Sequence, residues 1–188
     1  MQTTAHAIDA LANAGIDYGY SYAGAVGWLA NAEPRSTDSL ARQIMALSTV
    51  GANTTDKVGA LLALRNALAF NVGITGATGP SWGAYARYQG SFPDTSLAME
   101  ALLLTNTSYS DTSSTLGYMV NKQNTDGGWS YLKTDPVAAS SRLIPTAHTV
   151  LALSRYRAIG WGVDVNITNG ITWLTASGRQ KVDGGFAE

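Results

Sequence analysis

The sequence predicts an all-α fold made of helical hairpins, and three observations carry that prediction. The segment Thr4-Ala5-His6-Ala7-Ile8-Asp9-Ala10-Leu11 returns as Thr146-Ala147-His148-Thr149-Val150-Leu151-Ala152-Leu153, identical at five of eight positions. Between them, Thr95-Ser96-Leu97-Ala98-Met99-Glu100-Ala101-Leu102 keeps the skeleton T-x-x-A-x-x-A-L, and Leu40 to Leu47 keeps its Ala-Leu ending. The outer copies stand three units of about 47 residues apart, and self-similarity at a fixed period marks a repeat architecture. Apolar residues within the copies recur at spacings of three and four, as in Ala147, Val150, Leu151 and Leu153, which marks one buried face of a helix. Alternating strand patterns are absent.

The elements follow in chain order. A first helix is expected at 4–14, over the first motif copy. The next, 22–32, carries the aromatic marker Gly27-Trp28-Leu29, and 37–49 carries the weakened copy. A helix at 55–70 closes the second hairpin. The Thr95 copy sets a helix at 94–105, and Gly117-Tyr118-Met119 lies in one at 112–122. Pro145 opens a helix at 145–158, because a proline in the first turn forfeits no hydrogen bond. The last helix, 167–177, holds Thr172-Trp173-Leu174. Between aromatic helix and motif helix lies a loop: Gln123-Asn124-Thr125-Asp126-Gly127-Gly128-Trp129 recurs as Gln180-Lys181-Val182-Asp183-Gly184-Gly185-Phe186, with Gly79-Pro80-Ser81-Trp82 as a degenerate copy. Asp-Gly-Gly supplies the turn, since glycine takes positive φ without penalty. The chain reads as one domain over residues 1–188, with about four helical hairpins.

Composition bounds the function. With 45% hydrophobic and 13% charged residues the chain reads as globular, and the composition argues against disorder. A net charge of −1 with no basic stripe argues against nucleic acid, and no apolar run is long enough for a membrane span. The absence of cysteine removes disulfides, thiolate nucleophiles and Cys-containing zinc sites. The polar surface is rich in Ser, Thr and Asn, as on extracellular or cell-surface bacterial proteins. The start lacks the basic and apolar regions of a signal peptide, so the chain is either cytoplasmic or an internal piece of a longer exported protein.

The spacing Tyr118-Met119-x-x-x-Gln123-x-x-Asp126-Gly127-Gly128-Trp129, followed by Pro145-Thr146-Ala147 and Ala152-Leu153, resembles the QW motif and inner-helix opening of the prenyltransferase and squalene-cyclase repeat family. The resemblance implies an α/α toroid, whose inner helices surround a central cavity. It also implies a structural role for Gln123, Asp126, Gly127, Gly128 and Trp129 and for Gln180, Asp183, Gly184, Gly185 and Phe186. In that family the glutamine caps a neighbouring helix end and the aromatic ring stacks on it. Helix termini leave backbone groups unpaired, and a side-chain amide can satisfy them. The first hairpin departs from the pattern, with Glu33 in place of the glutamine and no Asp-Gly-Gly loop; the second has Arg65 there. The chain opens inside a motif helix and stops after a loop motif, which is expected of a fragment of a larger protein whose neighbouring repeats cover its ends. An uncovered terminal repeat would also favour a homodimer.

The residues that make those relatives enzymes are missing. No Asp-x-Asp-Asp or Asp-Asp-x-x-Asp occurs; no two acidic residues are adjacent, and no Cys is present to hold zinc. The expectation is a non-catalytic repeat module of an exported prokaryotic protein, a scaffold or binding surface, with no cofactor and no metal. Three rivals stand beside it: a divergent terpenoid cyclase or prenyltransferase, an α/α-toroid polysaccharide lyase using Tyr, His and Arg, and a carrier of a hydrophobic or corrinoid ligand.

Candidate binding residues are few. Trp82, Tyr85 and Tyr88 fall together, and such a run can stack on a carbohydrate or line a hydrophobic pocket. His148 and His6 hold equivalent motif positions; they are read as inherited with the repeat and set apart by three units, with a ligand or general-base pair as the sharper alternative. Asp126 and Asp183 are expected to cap loop N–H groups. Asn53-Thr54-Thr55, Asn106-Thr107-Ser108 and Asn166-Ile167-Thr168 fit the glycosylation pattern and are read as exposed loops.

Overall fold

Eight α-helices form among the described residues: α1 (Gln2–Asn13), α2 (Tyr20–Asn31), α3 (Thr37–Thr49), α4 (Thr55–Ala63), α5 (Phe92–Leu104), α6 (Thr112–Asn121), α7 (Leu143–Arg157) and α8 (Asp164–Thr175). The computed structural model describes residues 1–66, 80–132 and 140–179, together with 181, 183, 185 and 186. No strand forms among the described residues; isolated bridges join Asn66 with Ser81 and Ser91 with Leu132. The fold is all-α and built of helical hairpins.

All eight expected helices are present, most of them within two residues of their expected ends, and the local reasons are visible. The Ser36 hydroxyl accepts from the Ser39 N–H at 3.3 Å and starts α3, while Ser91 accepts from the Asp94 N–H at 3.1 Å and starts α5. Asp38 and Asp94 stand in those first turns, where negative charge complements the helix dipole. One expectation is corrected: α4 was to reach residue 70 but ends at Ala63. Beyond it the Asn66 N–H donates to the Ser81 carbonyl at 2.9 Å, so the chain has already turned away. Residues 67–70 of that expected helix, and Gly79 of the degenerate loop, lie outside the described residues.

The odd-numbered helices form one parallel layer. Across α1 and α3, Gln2 bonds Asp38, His6 meets Arg42 at 2.8 Å, and the Thr49 hydroxyl donates to Asp9 at 3.2 Å. Both numbers rise together, so the two helices run the same way. Across α5 and α7, Ser96 meets Thr149 at 3.4 Å and Glu100 meets Arg155 at 2.9 Å, again in parallel register. α3 packs on α5 between these pairs, while α2, α4 and α8 pack against the odd helices. α6 joins the main core through Leu116, Tyr118 and Met119.

The repeat recurs at atomic level in how the even helices end. The last carbonyls of a helix have no partner within it. In α2, α4 and α6 the carbonyl of the third-last residue, Leu29, Leu61 or Met119, is taken by a buried side chain. The Trp82 Nε1–H donates to Leu61 at 2.7 Å and the Trp129 Nε1–H to Met119 at 2.8 Å. Each tryptophan also receives a threonine from the next odd helix: the N–H of Trp82 donates to Thr95 Oγ1 at 3.1 Å, and that of Trp129 to Thr146 Oγ1 at 2.9 Å. In the first hairpin the Gln43 amide of α3 performs the same capping, donating to the Leu29 and Ala32 carbonyls.

The Asp-Gly-Gly loop is fixed by its neighbours. Gly127 sits at φ +94°, and a Cβ there would stand 2.9 Å from the Asn169 carbonyl oxygen; at Gly128 a Cβ would be 2.5 Å from that of Ser141. Gln123 donates to the Gly127 carbonyl at 2.7 Å and to the Asn166 carbonyl at 2.9 Å, and accepts from Asn166 Nδ2 at 2.8 Å. It therefore ties the loop to the first turn of α8. Asn166 is half-buried in this bond, not an exposed loop residue as its Asn-Ile-Thr triplet led one to expect. Asp126 accepts from the Gly128 N–H at 3.1 Å, from the Ser141 hydroxyl, and from the Trp173 Nε1–H at 2.8 Å. Burial alone would raise its carboxyl, but these hydrogen bonds and the Arg179 charge hold it below the usual range.

The second loop copy is partly described. Asp183 accepts from the Gly185 N–H at 2.9 Å, the same turn as Asp126 with Gly128. Phe186 is half-exposed, unlike Trp129, whose burial depends on Met119 behind it and Thr146 ahead. Gln180 and Gly184 lie outside the described residues.

Candidate functional site

The parallel layer curves around a cavity of about 220 Å³ on its inner side, lined by Ala5, His6, Asp9, Arg42, Met45, Ala46, Leu97, Glu100, His148, Leu151 and Arg155. All four odd helices contribute. The lining has a simple register in the repeat: the third motif position supplies His6, Arg42, Leu97 and His148, and the sixth supplies Asp9, Met45, Glu100 and Leu151. The seventh and eighth positions of α5, Ala101 and Leu102, and of α7, Ala152 and Leu153, point into the core instead. On a helix, residues three apart share a face, so one stripe of each inner helix is given to the core and another to the cavity.

The two histidines that three repeat units separate in sequence thus meet one cavity. Parallel packing puts equivalent positions at one height, and curvature brings the first and fourth helices to opposite sides of it. His148 and His6 are here neighbours of Arg42, which the sequence reading of them as isolated repeat residues did not foresee.

The electrostatics of the cavity centre on one buried carboxyl, that of Glu100. Arg42 is held by Asp38 at 2.9 Å and reaches the His6 Nε2 with its Nη1 at 2.8 Å. Glu100 is the buried acid of the set, 3% exposed, with Oε2 on the Nε of Arg155 at 2.9 Å. Its Oε1 is buried and has no hydrogen-bond partner among the described residues. Burial pushes the Glu100 carboxyl up to about 7, against the opposing pull of the Arg155 and Arg42 guanidiniums. Burial, helped by the Arg42 charge and opposed by that of Asp38, lowers His148 below the usual histidine value. The cavity therefore holds an imidazole biased toward its neutral form and an acid raised to about 7. Both are states a proton-transferring or hydrogen-bonding site needs.

The remaining candidates are placed elsewhere. Trp82 is fully buried as the α4 cap and belongs to the core, which corrects its reading as a binding residue. An indole whose N–H and both faces are packed has nothing left to offer a ligand. Tyr85 and Tyr88 are exposed at 47% and 60%, with ring centroids 5.2 Å apart in an edge-to-face pair. Tyr88 lines a separate groove with Gln89, Pro93, Tyr131 and Leu132, outside the inner cavity. No group of three or more His, Cys, Asp or Glu arranged to hold a metal occurs among the described residues. No helix is long and apolar enough to cross a membrane, again among the described residues.

No protein-family model, no curated protein and no solved structure matches the chain.

Proposed function

We propose that the chain is a squalene-cyclase-like helical repeat module, part of an α/α toroid in a larger exported protein, whose concave face binds a small polar ligand. The observation that carries this reading is the lining: two repeat positions on four helices converge on one cavity, and five of the eight residues there are His, Arg, Asp or Glu. A face serving only as scaffold has no use for a buried carboxyl with one oxygen unpaired, and the Arg155 contact satisfies only Oε2 of Glu100. The indole and threonine caps support the repeat resemblance by giving the loop motif a structural task, though here the Trp129 indole, not the glutamine, caps the preceding helix end. The layer of parallel inner helices is the arrangement a toroid segment requires.

The lining also ranks the rivals. No Trp, Tyr or Phe is among the described lining residues, and a carbocation is stabilised by the faces of such rings, so the terpenoid-cyclase reading loses support. A second reading keeps a specific observation in its favour: His6 and His148 face an open cavity beside Arg42 and Arg155, the set a polysaccharide lyase uses to neutralise a uronate and move a proton.

The test fills the cavity. Leu151 lines it and is half-exposed, so Leu151→Trp occludes the cavity without disturbing the core. Saturation-transfer NMR against a library of small polar compounds should give hits with the native protein that vanish in this variant. Hits of equal strength in both would place binding elsewhere. Incubation with uronate polysaccharides, followed by the ultraviolet absorbance of an unsaturated product, decides the lyase reading.

A further inference from the structure

Resting on the reading that the concave cavity binds a ligand, we infer that Glu100 anchors a sugar there, with its Oε1 accepting a hydrogen bond from a ring hydroxyl. Oε2 is committed to Arg155 at 2.9 Å, while Oε1 is buried and without a partner among the described residues. A buried acceptor left empty keeps its full desolvation penalty, and Glu100 lines the cavity, so a group that enters there can complete it. To the ionised carboxylate, the form that prevails above about pH 7, that group has to be a donor.

Charge selects the kind of donor. The Arg155 and Arg42 guanidiniums both act on Glu100, so an ammonium entering here meets two positive charges, whereas a hydroxyl meets none of that repulsion. The other polar groups suit hydroxyls as well. The Arg42 guanidinium, a donor only, meets His6 Nε2 and so leaves Nδ1–H to donate, and His148, biased toward its neutral form, offers one donor and one acceptor. A hydroxyl group donates and accepts, so a polyhydroxylated ring can answer each of these groups without carrying charge. Ala5, Ala46, Leu97 and Leu151 supply the apolar wall that the C–H face of such a ring covers. At about 220 Å³ the cavity lies below the range of about 300–1,000 Å³ for drug-sized ligands, which fits one ring. The ring can be a free monosaccharide or the terminal residue of a glycan; the recognising chemistry is the same.

The chain has two histidines, and both line the cavity, so the imidazole ¹⁵N–¹H spectrum reports on this site alone. Probes are glucose, galactose, mannose, N-acetylglucosamine, glucuronate and their methyl glycosides, with acetate and methylammonium as charge controls. At least one sugar should move both ring signals. A response to the free sugar alone assigns a monosaccharide, and an equal response to its methyl glycoside assigns a glycan terminus; either supports the inference. In Glu100→Gln the amide turns its NH₂ toward the cavity, replacing the acceptor by a donor, and affinity should fall about tenfold or more with the thermal transition retained. If that variant does not fold, Glu100→Asp, which withdraws the oxygen by one methylene, carries the same expectation. Undiminished sugar binding in the variant overturns the anchor and leaves the cavity reading standing. A response to acetate or methylammonium but to no sugar overturns the hydroxyl chemistry and likewise spares the cavity. Silence of both histidines toward every probe overturns the cavity reading itself.

Discussion

Glu100 makes the stability of the native protein depend on pH in a way that Glu100→Gln should abolish. The folded carboxyl is raised from 4.5 to about 7, burial being the main cause, so between those values the folded state holds a proton that the unfolded chain has released. A folded state that binds more protons loses stability as pH rises. The cost is absent below about pH 4.5, grows through the window and is complete above about pH 7. At 1.36 kcal/mol per unit, a shift of this size amounts to about 3 kcal/mol. Glutamine has no proton to lose, so the variant escapes this cost while forfeiting the charged part of the Arg155 contact at every pH. Every other titrating group is common to the two proteins and cancels in their difference. Urea unfolding of both proteins, at about pH 4 and about pH 8, should show the difference in unfolding free energy moving by about 3 kcal/mol in favour of the variant at the higher pH. A difference that stays constant between the two conditions refutes the argument, because Glu100 would then be as well solvated in the folded chain as in the unfolded one.

Other perturbations address the repeat and the cavity. Trp129→Phe keeps the buried ring and removes the bond to the Met119 carbonyl, and Trp82→Phe does the same at Leu61; each should cost about 1–3 kcal/mol in denaturant unfolding. Gly127→Ala places a Cβ at φ +94° and within 2.9 Å of the Asn169 carbonyl oxygen, so a loss of at least about 1–2 kcal/mol is expected in the same assay. His148 should titrate below its usual value in an NMR pH series, and Arg42→Met should raise its midpoint by removing a facing positive charge. Because the folded His148 binds protons more weakly than the unfolded chain does, its contribution to stability is present above the unfolded value and lost as pH falls.

Much of the fold was legible because it rests on local pattern. Apolar spacing of three and four in the motif copies marks the odd helices, and the aromatic markers Trp28, Tyr118 and Trp173 fall within even helices as expected. The end of α4 was not legible. Helical periodicity continues past Ala63, and what stops the helix is the bridge of Asn66 to Ser81 with Trp82 closing on Leu61, contacts between residues up to 21 positions apart. Trp82 was misread for the same reason: clustering with Tyr85 and Tyr88 says nothing of which ring turns inward. The cavity was half-written in the sequence. The third and sixth motif positions, read across four copies, name His6, Arg42, Glu100 and His148 together. That they face one space depends on the curvature of the layer, which no single copy encodes. Arg155 lies beyond the motif and could be found only through its bond to Glu100.

The central claim is that four parallel helices curve until the first and the fourth face each other across one cavity. The chain has no cysteine, so His6→Cys with His148→Cys creates a unique pair in an otherwise thiol-free protein. A flat layer with helix axes 8–10 Å apart would hold those positions about 24–30 Å from each other. Treatment with a short bis-maleimide, followed by mass spectrometry of the monomer, measures which arrangement holds. The curved layer predicts efficient intramolecular crosslinking by a reagent far shorter than 24 Å or so. Crosslinking only with long reagents, or none within the monomer, would contradict the cavity and the function built on it.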